Sequence, residues 1–94
     1  MVNLRRPHND PTGSPTVLAQ LAPGERARIV GMMPQASAVL AGRLRQLGFR
    51  PASDVEVIRR APLGDPTIYR VQDTELCLRR REARLIEIEP RSHA

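Results

Sequence analysis

Lysine and tryptophan are absent, and cysteine, tyrosine and phenylalanine occur once each in 94 residues. A single cysteine excludes an intrachain disulfide and a CxxC zinc site. With only Phe49 and Tyr69 as aromatics, the chain has no platform for stacked bases and no aromatic groove to grip a polyproline peptide. No apolar run approaches the roughly 20 residues of a membrane-spanning helix. Arg5 and Arg6 lack the apolar stretch that would follow them in a secretory signal. A chain of this length buries only about 60–65% of its unfolded surface, which leaves little room for a deep catalytic pocket. These absences lead to the expectation of a cytoplasmic, single-domain protein that is not an enzyme.

Positive charge is present, but its pattern argues against a nucleic-acid role. All 15 basic residues are arginine, and the formal net charge is +5. Residues 21–89 hold 12 Arg against 9 acids, a net of +3. Together with 9 prolines, the exclusive use of arginine reads as a compositional bias of the whole chain. No nucleic-acid partner is expected.

Residues 1–17 read as a disordered tail, because Pro7, Pro11 and Pro15 alternate with small polar residues and nothing there can pack. The ordered domain is expected over 18–89, with 90–94 as a C-terminal tail. Pro23-Gly24 forces a turn, and Glu25 to Met32 then alternates, with Ala27 and Ile29 on one face, as a strand does. Ser37 suits a helix N-cap, and Ala38 to Leu47 carries Leu40, Leu44 and Leu47 on one stripe. Gly48 follows where a left-handed C-cap belongs, and Pro51 forbids continuation. Further strands are expected over 54–59, 67–71, 74–79 and 85–89, with a tight reversal at Gln72-Asp73 and one helical turn over 80–84. The expected fold is mainly β: a small SH3-like antiparallel barrel of about five strands, with one short α-helix between the first two. An OB-like barrel is the alternative.

Few residues carry chemistry. His8 and His93 lie in the tails, away from any packed shell that could orient them. Cys77 sits between Leu76 and Leu78 and points to the opposite face, either as a small filler or as a half-exposed thiol. Asp54 with Glu56, and Glu87 with Glu89, are paired at the spacing of a solvated sheet face. As ligands for Fe2+ or Mn2+ they need further donors converging from elsewhere. The segment Arg59-Arg60-Ala61-Pro62-Leu63-Gly64-Asp65-Pro66 is more informative. Two prolines stiffen it before any partner arrives, and Leu63 either stands exposed at the tip or folds back onto the barrel. Arg79-Arg80-Arg81 is either a solvated charge run or an anion-binding cluster.

Taken together, four segments resemble the FeoA family, small cytoplasmic proteins of bacterial ferrous-iron uptake. They are Leu21 to Gly31, Leu44 to Pro51, Val55 to Pro66, and Leu76 to Arg79 with Leu85 to Ile88. Their order and spacing, with Ala-Pro-Leu-Gly-Asp-Pro between two strands, carry the resemblance. Ala52 and Asp73 stand where the family commonly has turn glycines, and Cys77 where alanine is usual; Ala52 suggests a locally different turn. The resemblance implies an SH3-like barrel and a non-catalytic accessory role beside FeoB, the membrane ferrous-iron transporter with a cytoplasmic GTPase domain. Contact with the membrane is then only indirect, through the transporter. The docking surface expected on this basis comprises Arg59, Arg60, Pro62, Leu63, Gly64, Asp65, Pro66 and Arg79. No cofactor is expected. The alternative reading is a domain of the same fold that binds Fe2+ or another divalent transition metal in iron handling or metal-responsive regulation. A homodimer formed through an uncovered strand edge is a further expectation, because a barrel this small has a thin stability margin.

Overall fold

Alternation after Gly24 becomes a strand because Ala27 and Ile29 must share one buried face, and both are almost fully buried. The computed structural model of the chain describes residues 15–91. In chain order it contains β1 (Thr16–Val17), a 3-10 turn (Leu18–Gln20), β2 (Arg26–Met32) and α1 (Ala38–Gln46). β3 (Asp54–Arg60), β4 (Thr67–Val71), β5 (Thr74–Leu78), the single-turn α2 (Arg80–Ala83) and β6 (Ile86–Pro90) follow. The six strands form one antiparallel sheet in the order β1-β6-β2-β3-β4-β5. Residues 1–14 and 92–94, which include His8 and His93, lie outside the described residues.

The architecture is mainly β with α1 between the first two long strands, as the patterning implies. It has a sixth strand because Thr16 and Val17, assigned to the tail from composition, pair with Ile88 and Glu87 of β6. This pairing delivers Leu18 directly into the core, where it is fully buried. Register shifts between Ile29 and Gly31 and between Val57 and Arg59 bend the sheet. The curled sheet encloses Ile29, Val55, Val57, Tyr69, Ile86 and Ile88. No helix among the described residues is long and apolar enough to cross a membrane.

The helix begins and ends as its sequence dictates, but its buried face differs from the expected stripe. Ser37 Oγ accepts the Leu40 N–H at 3.1 Å, and Gly48 takes φ +116°. Phe49 N–H then reaches Leu44 C=O at 3.1 Å and Gly48 N–H reaches Arg45 C=O at 3.0 Å, a Schellman closure. That closure swings Phe49 into the core, where it is fully buried, so Phe49 occupies the place the stripe assigns to Leu47. Leu47 is left 38% exposed, and the helix packs through Ala41 and Leu44 with Leu40 half-buried.

At position 52 the backbone keeps the left-handed geometry that glycine would supply. Ala52 has φ +73°, held there by its own N–H to Ile29 C=O at 2.7 Å and by Ile29 N–H to Ser53 C=O at 2.8 Å. The turn is therefore not rebuilt; the alanine adopts it under strain. Gln72 and Asp73 also have positive φ, at 54° and 61°, the signature of a two-residue type I′ hairpin. Ala52→Gly should raise unfolding stability in urea by about 0.5–1 kcal/mol, the left-handed penalty less the extra chain entropy of glycine. Gly48→Ala should lower it by about 2 kcal/mol, since a Cβ there would lie 3.0 Å from Gln72 Cγ. A loss of stability in the first variant contradicts the strain assigned to Ala52.

Candidate functional site

β3 ends at Arg60 and β4 begins at Thr67, so residues 61–66 must reverse the chain outside the sheet. Within the loop, Gly64 N–H reaches Ala61 C=O at 2.7 Å and Ala61 N–H reaches Pro66 C=O at 3.0 Å. Gly64 takes φ +91°, a conformation that L side chains rarely adopt. Two further ties fix the loop to the body. Asp65 Oδ1 accepts the backbone N–H of Arg80 at 2.9 Å, satisfying a free donor at the start of α2. The Arg80 Nη2 donates back to Gly64 C=O at 3.4 Å. On the other side, Arg60 Nε donates to Thr67 Oγ1 at 3.1 Å, and its Nη2 donates to Leu21 C=O.

The eight residues named from the sequence therefore divide by what their side chains do. Arg60 and Asp65 are engaged internally and hold the loop, while Gly64 and Pro66 shape its backbone. Leu63 stands 96% exposed at the tip beside exposed Pro62, so it does not fold back onto the barrel. Arg59 and Arg79 are exposed. Arg79 anchors α2 through its backbone N–H, which donates to Glu82 Oε1 at 2.9 Å. Among the described residues, neither the Arg59 nor the Arg79 guanidinium forms an ion pair. Arg80, which belongs to the arginine run but not to these eight, ties the loop to α2. The arginine run is thus partly a structural cap rather than a uniform charged face. Arg43 reaches Glu82 at 3.6 Å and connects α1 to the same turn.

Beneath the loop, the space bounded by Ala19, Arg60, Gly64, Thr67, Tyr69 and Arg80 has no room for a ligand. A larger, open groove of about 350 Å3 lies between Arg26, Asp54, Glu56, Arg70 and Asp73. Three of these five charges are paired: Arg70 reaches Glu56 at 3.6 Å and Glu75 at 2.9 Å, and Arg91 reaches Asp54 at 2.7 Å. Among the described residues, no three His, Cys, Asp or Glu side chains converge as a metal site requires. Cys77 is exposed rather than a filler of the core.

The model of the FeoA domain matches residues 16–90, the whole span from β1 to β6. The chain belongs to the FeoA family. It is 36% identical over 72 residues to an Fe(2+) transport protein A/Fe(2+) transporter FeoB fusion protein of Porphyromonas gingivalis. The match takes in 77% of this chain and 8% of that relative, so the chain spans about a twelfth of the relative's length. The solution structure of iron(II) transport protein A from Clostridium thermocellum is 39% identical with a TM-score of 0.73, covering 80% of this chain and 45% of that one. The crystal structure of Stenotrophomonas maltophilia FeoA, described as a prokaryotic SH3 domain protein complexed with zinc, is 25% identical with a TM-score of 0.72. It covers 84% of this chain and 99% of that one. The fold is thus SH3-like rather than OB-like, and the family is one of ferrous-iron transport.

Two measurements check the ties. Asp65→Ala should cost about 1 kcal/mol by leaving the Arg80 N–H uncapped, read as a lower urea midpoint; an unchanged midpoint contradicts the tie. Tyr69 is almost fully buried. Burial pushes its phenol above the ordinary value of 10.0, against the smaller lowering effects of a hydrogen bond with Thr67 and the nearby charge of Arg60. With the folded value raised, the stability owed to neutral Tyr69 is complete below about pH 10 and is lost as pH climbs through the raised value. Tyr69 is the sole tyrosine, so its tyrosinate absorbance should titrate above 10 in the native protein; a midpoint at or below 10 contradicts its burial.

Proposed function

We propose that this FeoA-family chain is a non-catalytic accessory module of bacterial ferrous-iron uptake. It docks in the cytoplasm on the GTPase region of a FeoB-type transporter and modulates transport. The observation that carries this reading is Leu63, 96% exposed on a loop fixed from both sides. The backbone that carries Leu63 is already tied, so a partner that covers the side chain has only its rotamers left to order. Arg59 and Arg79 supply charge-assisted donors near the tip. The Porphyromonas gingivalis relative joins its A and B parts in one polypeptide, which fixes a high local concentration of one for the other. That arrangement supports two parts working in contact.

Direct binding of Fe2+ or Mn2+ finds no converging donor set among the described residues, so docking is the reading we carry forward. Leu63→Glu should weaken capture of this chain by an immobilised FeoB cytoplasmic region by at least tenfold, with an unchanged circular dichroism spectrum. Undiminished capture by the folded variant removes the tip from the interface.

A further inference from the structure

β5 is the open edge of the sheet. β4 covers one side of it through an unbroken register from Val71↔Thr74 to Thr67↔Leu78. The opposite edge strand, β1, is only 2 residues long, and so short an edge offers little to pair with. β5 is longer, at 5 residues, and contains no proline, no lysine and no register shift, which commonly guard an edge; its one charge is Glu75.

The hairpin fixes which of its backbone groups are free. Val71 and Thr74 close the two-residue turn as a hydrogen-bonded pair. Antiparallel pairs alternate from there, so Thr74, Leu76 and Leu78 direct their N–H and C=O groups toward β4. Glu75 and Cys77 direct theirs away from the sheet. Among the described residues, no backbone group of another strand or loop meets them, and both residues are exposed. Arg79, next in that phase, is already engaged: its N–H donates to Glu82 Oε1, and its C=O accepts from Glu82 and Ala83.

We propose that β5 pairs antiparallel with β5 of a second copy of this chain, about a two-fold axis through Leu76. In that register Glu75 faces Cys77 of the second copy and Cys77 faces its Glu75, so every free N–H meets a free C=O. Centring on Glu75 places like charges face to face. Centring on Cys77 sets Glu75 against the occupied backbone of Arg79. Side-chain charge selects the same arrangement. The edge starts with Asp73 and Glu75 and continues into Arg79 and Arg81, and an antiparallel two-fold lays the start of one copy along the end of the other. Asp73 then approaches Arg79 of the second copy. Leu76, half-buried in the single chain, meets its counterpart on the axis.

The contact is one strand edge per chain, so the dimer is weak and dissociates on dilution. Sedimentation equilibrium of the full chain under reducing conditions, up to about 1 mM, should show a reversible dimer. Cys77→Pro removes an N–H that the single chain does not use, and an edge strand tolerates proline. This variant should stay monomeric with an unchanged circular dichroism spectrum. Arg79→Glu, whose fold contribution runs through its backbone, should weaken the dimer at least tenfold should the proline variant fail to fold. Leu76→Cys with Cys77→Ser should cross-link as a covalent dimer on mild oxidation, whereas native Cys77, offset from its counterpart, should not. A chain monomeric at the highest concentration overturns the proposal, as does a dimer undisturbed by Arg79→Glu. Efficient cross-linking through native Cys77 overturns the register.

Discussion

The Asp65 carboxylate that accepts the Arg80 N–H is the contact on which the presented surface depends. α2 is a single turn of four residues, too short to persist on its own, and its exposed N-terminus needs an acceptor. The β3–β4 loop is six residues long and lies outside the sheet, so it needs a tie to the body. One hydrogen bond at 2.9 Å answers both needs. Glu82 closes the same turn from within by accepting the Arg79 N–H, and Arg60 clamps the other side of the loop to Thr67 and Leu21. Leu63 can remain in solvent because the residues around it, rather than Leu63 itself, hold the loop in shape.

Several of the arginines in this chain work within the molecule rather than as free surface charge. Arg60, Arg70, Arg80 and Arg91 are used within the molecule, against carbonyls, a threonine hydroxyl or carboxylates. The guanidinium group suits such work, since its planar set of donors serves several acceptors at once. Exposed ion pairs contribute little individually. The partly buried Arg60 bonds are of another kind, because they satisfy a backbone carbonyl as well as a hydroxyl.

Much of the fold is legible from the sequence because period and punctuation agree. The alternation at Ala27 and Ile29, the Ser37 cap and the Gly48 stop each follow from local physics and reappear in the structure. Leu47 is misplaced by stripe counting because the Schellman closure depends on where Phe49 fits, a tertiary matter. β1 is hidden for a similar reason, since two residues have no period and acquire strand geometry only from β6. At the site, the proline-bounded loop and its exposed leucine are readable from the chain. The engagement of Arg60 and Asp65 is not, because their acceptors and donors lie 39 and 15 residues away in sequence.

The central claim is that the 61–66 loop is rigid before any partner arrives and displays its apolar tip on the outside of the barrel. Backbone 15N relaxation of the free protein tests this directly. The account predicts order parameters for Leu63, Gly64 and Asp65 near the ~0.85 of a rigid backbone, and values below about 0.6 would contradict it.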